Sequence, residues 1–276
     1  MKTISAEKIY LTVKDLCLKA NIILRPDFLK TLKSVLRLER NQKARKILQA
    51  IVENARIAGK EGLAICQDTG LPCVFLELGQ DVRITGDLKQ AINKGVKEGY
   101  KTGFFRESII KEPLLRGRPA YTPAIIHIDI VKGSKLKVTV FPKGFGCENK
   151  TQLKMFNPTA GIDEIKKFII ETVRTAGADA CPPYVVGVGI GGTADYSCFL
   201  AKKALLRDMS SHLSSIVRLE RDLLKQINRL NIGPMGLGGK NTCLGVRIET
   251  FATHIAGLPV AVNINCHALR SATAVL

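Results

Sequence analysis

The chain has 276 residues, 46% of them hydrophobic, which is enough to build a core and excludes global disorder. No apolar run approaches the ~18 to 20 residues that a membrane-spanning helix needs. The net charge of +18, from 42 Lys+Arg against 24 Asp+Glu, admits a nucleic acid, an anionic substrate or an acidic partner. The positive charges are dispersed, though. The densest runs, Arg37 to Lys46 and Arg218 to Arg229, carry acids and helix-spaced apolar residues, and no aromatic cluster accompanies them as a stacking platform. They read as solvated helix faces, and the expectation is no nucleic acid and no membrane.

In chain order, residues 1–60 read as helical. Ala44, Ile47, Leu48, Ile51, Val52 and Ala55 fall on one helix face, with Asn41 as N-cap and Gly59 as stop. Two shorter helices precede this one, and Pro26 opens the second. The opening MKTISAEKIY has no uninterrupted apolar stretch and no small-residue cleavage site, so the expectation is a cytoplasmic chain without a signal peptide. Gly62, Gly70 and Pro72 then mark a loop feeding a strand. Asp87 caps a helix to Tyr100. Ile126, Ile128 and Ile130, then Leu136, Val138 and Val140, alternate with polar residues around a turn at Lys132 to Lys135. That pattern predicts a hairpin with one buried face.

Further on, helices are predicted over Ile162 to Thr175, Ala194 to Leu206 and Ser214 to Leu230. Strands are predicted over Tyr184 to Ile190, Cys243 to Ile248 and Pro259 to Asn263. No repeat, low-complexity tract or Pro/Ser linker interrupts the chain. The expectation is one α+β domain over 1–276, a mixed sheet flanked by helices, with 1–60 helical and 61–276 carrying the site.

Two glycine motifs mislead. Gly187-Val-Gly189-Ile-Gly191-Gly192 matches GxGxxG between a strand and a helix, but no second strand ending in Asp or Glu follows at the required distance. Its small residues are better read as letting the backbone pass close to something bulky. Gly236 to Thr242 resembles a P-loop, yet Pro234 and Asn241 occupy positions that need Gly and Ser/Thr.

The eight cysteines include no CxxC pair, which argues against zinc ribbons and thioredoxin-like chemistry, and they are too sparse for a disulfide framework. Cys66, Cys181 and Cys266 lie at loop junctions flanked by Gly, Pro, Asn or Asp, where a thiolate is accessible and backbone N–H donors are near. Cys17, Cys73 and Cys198 look like core residues. For any one cysteine a small buried hydrophobe is the competing reading, and spacing does not say which of them converge.

GLAICQDTGLP, PKGFGCENKT, ACPPYVVGVGIGGT, GPMGLGGKNT and THIAGLPVAVNINCHALR occur in this order. Together they resemble the N-terminal part of class I fumarate hydratases and the α subunits of two-subunit fumarases and L-tartrate dehydratases, over about residues 40–270. The resemblance implies a [4Fe-4S] cluster held by Cys66, Cys181 and Cys266, with a fourth iron left open as a Lewis acid toward substrate. It implies reversible hydration of fumarate to L-malate, a tricarboxylic acid cycle reaction, through an enediolate-like charge that fixed cations stabilise. Dehydration of L-tartrate to oxaloacetate and hydration of mesaconate are the alternatives. By motif, Gln67 and Asp68 would contact the dicarboxylate, and Asp68 and His254 would be catalytic. Arg106 would bind a substrate carboxylate, its two preceding phenylalanines predicting a partly buried setting. Gly144 and Gly146 would lie against substrate. For His254 a satisfied core histidine is the competing reading.

The family loop reads KGGGSEN where this chain has KGFGCEN. Phe145 reaches φ > 0 less cheaply than glycine, so a different bend is expected, and Cys147 is not counted as a ligand. Single-chain relatives continue into a second domain with the catalytic base. The expectation is therefore a separate β subunit in an α2β2 assembly. A non-catalytic assembly subunit and a basic nucleic-acid-binding module are the readings of a different class.

Overall fold

The computed structural model describes residues 2–211 and 216–276. Contacts divide the chain into two compact units: Met1–Arg25, Asn54–Phe145 and Arg270–Leu276 form the first, and Pro26–Glu53 with Gly146–Leu269 the second. The α+β class holds in both, and no described helix is long and apolar enough to cross a membrane.

The first unit opens with strand β1 (Lys2–Ser5) and helix α1 (Ala6–Ile22). Ser5 caps α1 by accepting from the Lys8 N–H. Helix α2 (Pro26–Leu38) belongs to the second unit, and α3 (Gln42–Glu61) crosses the division. Asn41 caps α3, its side chain accepting from the Ala44 N–H at 3.1 Å. Gly59 does not stop it: the helix runs on to Glu61, and the turn comes at Gly62, whose φ of +71° suits glycine.

Strands β2 (Leu71–Gly79) and β3 (Val82–Thr85) follow, then α4 (Leu88–Thr102), capped by Asp87 through the Gln90 N–H at 2.9 Å. The short pair β4 (Ile109–Ile110) and β5 (Pro119–Ala120) precedes β6 (Ile125–Val131) and β7 (Leu136–Lys143), and β12 (Ala272–Val275) closes the chain. β1 pairs with β3, and the main sheet has the order β12-β7-β2-β6. β6 and β7 therefore do not form the predicted hairpin. β2 lies between them, parallel to β6 and antiparallel to β7. Alternation on β7 does mark a buried face, where Leu136, Val138 and Val140 join α1 and α4 in the core. On β6 the same alternation marks an edge whose Ile128 and Ile130 are exposed.

The short helix α5 (Phe145–Glu148) crosses the division, and in the second unit β8 (Gln152–Phe156) and α6 (Ile162–Ala176) follow it. Strand β9 (Tyr184–Gly192) leads to α7 (Ala194–Ala204) and α8 (Val217–Asn228). Positions 214 and 215, where the last helix was expected to start, lie outside the described residues. Strands β10 (Cys243–Thr253) and β11 (Leu258–Asn265) complete a sheet of order β10-β9-β11-β8.

Alternation in β9 builds this unit. Tyr184, Val186 and Val188 face a core with Ile165, Ile169 and Val173 of α6 and Leu223 and Ile227 of α8. Gly187 and Gly189 face the other way, onto α7. A Cβ there would stand 2.1 Å from the Ala201 carbonyl oxygen and 2.0 Å from that of Ser197. The bulky neighbour that the GxG pattern implies is thus a helix backbone, not a nucleotide.

Gly189→Ala is therefore expected to lower unfolding stability by about 1–3 kcal/mol or more. Gly59→Ala, in a helix with nothing within 4 Å of the new methyl, is expected to raise it by about 0.4–1 kcal/mol. Chemical denaturation of the two variants checks both signs.

Candidate functional site

In the first unit the segment from Gly62 to Gly70 is irregular, so its backbone groups need partners from elsewhere. Ile65 N–H donates to the Asn21 carbonyl at 2.9 Å, and Asn54 Nδ2 donates to the Ile65 carbonyl at 2.9 Å. The Tyr100 hydroxyl donates to the Thr69 carbonyl at 2.9 Å. Full burial pushes the Tyr100 phenol up, so it stays a donor. Arg270, only 2% exposed, donates from Nη2 to the Asp68 carbonyl at 2.8 Å and from Nη1 to Asn21 Oδ1 at 3.2 Å.

Asp68 is held from both sides. Its Oδ1 accepts from the Gly70 N–H and its Oδ2 from the Phe145 N–H, each at 2.9 Å. The carboxylate therefore ties the QDTG segment to the KGFG segment, and a Cβ on Gly144 would come within 3.3 Å of Oδ2. Phe145 does not have a positive φ. It starts the helical turn α5, so no left-handed backbone strain arises there, and its ring is half-exposed. Gly146 lies in the second unit, where an added Cβ would first meet the Asp179 carbonyl oxygen at 4.0 Å.

Arg106 belongs with this cluster, but not in the partly buried setting expected of it. Only Phe105 turns inward, edge-on to Tyr100 at 5.5 Å, while Phe104 and Arg106 are exposed. The Arg106 backbone is nevertheless fixed, its N–H donating to Thr69 Oγ1 at 3.1 Å. Gln67, Asp68 and Arg106 thus share one scaffold, with Thr69 as the hinge. Cys66 opens it, its Sγ donating to Gln67 Oε1 at 3.2 Å.

In the second unit Cys181 and Cys266 are brought together. The backbone N–H of His267 donates to the Cys181 carbonyl at 3.3 Å, and the His267 ring nitrogen Nδ1 stands 3.1 Å from the same oxygen. Cys181 has a φ of +56°, uncommon for a residue with a side chain, and Met235 N–H donates to the Pro182 carbonyl at 2.8 Å. The GPMGLGGKNT segment thus supports the Cys181 turn. Glu39, 3% exposed, steadies that segment through Asn241 Nδ2 at 2.6 Å. Ala268 N–H points at Cys266 Sγ at 3.4 Å.

Accessibility sorts the cysteines. Cys17, Cys73, Cys147 and Cys243 are buried, whereas Cys66, Cys181, Cys198 and Cys266 are partly exposed. Burial raises the Cys17 thiol and pushes Cys243 up to about 12, which keeps both protonated and poor as ligands. Cys198 is half-buried in α7 instead of a core residue, and partial burial raises its thiol too. Among the described residues no three His, Cys, Asp or Glu side chains form a group able to hold a metal ion.

His254 is not a core histidine. It is exposed in the turn between β10 and β11, and its Nδ1 accepts from the Ala256 N–H at 3.1 Å. The neutral ring then carries its proton on Nε2.

Sequence reasoning missed Asn21, Tyr100, Arg270 and Glu39, which act through distant loops. The one available signal is a charge set in an apolar run, as at Arg270. It also passed over Lys143, which is only 1% exposed beside Gly144.

The profile of the family described as Fumerase, fumarate hydratase, matches residues 11–275. A Methanocaldococcus jannaschii protein named "Putative L(+)-tartrate dehydratase subunit alpha" is 40% identical over 275 residues, covering 96% of each chain. The L(+)-tartrate dehydratase subunit alpha of Escherichia coli strain K12 is 30% identical over 253 residues, 90% of this chain and 82% of that one.

Asp68→Asn would set an amide donor against either the Gly70 or the Phe145 N–H. It is expected to cost about 1–3 kcal/mol of unfolding stability in protein without cofactor, read by denaturation.

Proposed function

The chain belongs to the fumarate hydratase family of hydro-lyases, and from that premise we propose that it is the [4Fe-4S]-bearing α subunit of an enzyme that reversibly hydrates fumarate to L-malate. The observation carrying this reading is the sorting of the thiols. Cys66, Cys181 and Cys266 are the partly exposed cysteines at loop junctions, and the two in the second unit are joined through His267. Thiolate ligands with nearby backbone N–H donors suit an iron–sulfur cluster, and the Ala268 N–H at Cys266 Sγ is such a donor. When bound, the cluster supplies one iron without a protein ligand, an electrophile for substrate oxygen.

The chain's own residues bind and orient. Arg106 presents an exposed guanidinium on a backbone pinned to Thr69, suited to a planar carboxylate. Adding water to fumarate builds negative charge on that carboxylate, and a fixed cation lowers its cost. Gln67 adds an amide beside Cys66. Asp68 already accepts two backbone N–H groups, so its part is to contact substrate and hold the backbone beside Gly144 in place, more than to abstract a proton. His254 offers Nε2–H to a substrate oxygen. The base that removes the proton comes from a separate β subunit, in an α2β2 assembly within the cytoplasm. The relatives' naming as alpha subunits supports a divided enzyme. Their naming as tartrate dehydratases favours a second reading, dehydration of L-tartrate to oxaloacetate.

Anaerobic reconstitution is expected to give the broad visible absorbance of an iron–sulfur cluster. Cys66→Ser, Cys181→Ser or Cys266→Ser should each remove it, and Cys147→Ser or Cys198→Ser should not. A colourless protein holding stoichiometric zinc would falsify the proposal. Assay of the co-expressed pair with fumarate, L-tartrate and mesaconate separates the substrates, and Arg106→Ala is expected to lower kcat/KM at least about a hundredfold.

A further inference from the structure

β6 is one of the two outer strands of the first unit's main sheet, β12 being the other, and among the described residues no strand pairs beyond it. Natural edges are usually blunted by lysine or proline, and Ile125–Val131 contains neither. Instead Ile125, Ile128 and Ile130 are 43%, 53% and 72% exposed. A groove of about 510 Å³ beside the strand, shared with Leu88 and Ile92 of α4, continues this apolar surface. Such an edge favours pairing with another strand.

The register of β6 shows which peptide groups are available. Gly79 of β2 stands opposite Val131, and the next residue, Gln80, donates its N–H to the Val131 carbonyl at 2.9 Å. In a parallel ladder this means that the odd-numbered residues of β6 turn their peptide groups toward β2. Ile126, Ile128 and Ile130 turn theirs outward.

We propose that β6 is an interface between two copies of this chain, paired antiparallel about a two-fold axis at Ile128. The sequence Ile125-Ile-His127-Ile-Asp129-Ile-Val131 is self-complementary about that centre. Ile128 faces the second copy's Ile128, and Ile126 faces the second copy's Ile130. All of these positions have outward N–H and C=O groups, so they form the hydrogen-bonded pairs of the new ladder. His127 falls opposite the second copy's Asp129, and the reverse pair repeats across the axis, in the closer pairs where side chains interact most.

The neighbouring symmetric registers are worse. An axis at Asp129 sets two carboxylates against each other, and one at His127 sets two imidazoles together and an aspartate against Ile125. An isologous contact of this kind closes on itself, so the β6 edge of each copy is used up. The two main sheets become one continuous sheet. This inference is independent of the catalytic reading, and in an α2β2 enzyme it would be the contact between α subunits.

Sedimentation velocity of the full chain tests it. A concentration-dependent dimer is expected. Ile128→Lys sets two ammonium groups on the axis and should weaken the dimer at least about tenfold, with the circular dichroism melt showing that the fold persists. His127→Glu should weaken it about tenfold, and adding Asp129→Lys in the same chain should restore it to within about threefold, because the opposite charges face again. A chain that stays monomeric throughout, a dimer indifferent to Ile128→Lys, or a double variant no tighter than His127→Glu alone would overturn the proposal.

Discussion

A carboxylate within an irregular loop must find donors, and Asp68 finds them in two places at once. One oxygen takes the Gly70 N–H and the other the Phe145 N–H, while Arg270 holds the Asp68 carbonyl from behind. The rest of the first unit's site depends on that arrangement. It sets Cys66 and Gln67 at one end of the segment, brings Gly144 alongside, and leaves Thr69 free to hold the Arg106 backbone. A charge-assisted hydrogen bond of this kind is worth about 1.5–3 kcal/mol, comparable to the cost of ordering one or two residues. These bonds offset part of the entropy cost of ordering the loop, which is the cost that preorganised binding avoids.

Much of the architecture was legible because local signals and burial agreed. Asn41 and Asp87 cap the helices they were expected to cap. Pro26 opens α2, and β9 is a buried strand. Where local and global signals parted, the reading failed. Alternation in β6 and β7, with a turn between, has the form of a hairpin, yet alternation does not name the partner. β2 enters from far upstream and separates the two. The apolar side chains of β6 were therefore assigned to a core when several lie at an edge. Gly59 failed for a simpler reason: glycine is tolerated inside a helix, and the positive φ that ends α3 falls at Gly62.

The site was legible as motifs and not as geometry. Neither composition nor spacing distinguishes Cys266 from Cys243. Burial does, because it holds the Cys243 thiol protonated and leaves Cys266 beside a backbone donor. The exposure of Arg106 could not be inferred from the phenylalanines before it, since one turns in and the other turns out. His254 sits in a turn because β10 and β11 flank β9 and the chain must cross between them. Asn21, Tyr100 and Arg270 carry no motif at all. Their roles arise only once α1, α4 and the C-terminal segment are folded around the loop.

The central claim is that three thiolates of this chain hold a cluster with one iron open to substrate. Mössbauer spectroscopy of protein reconstituted anaerobically with iron-57 tests it most directly. One iron in four should give a distinct signal that shifts when fumarate, malate or tartrate is added, while the other three stay unchanged. Four irons equally indifferent to every such dicarboxylate, or no cluster signal at all, would contradict it.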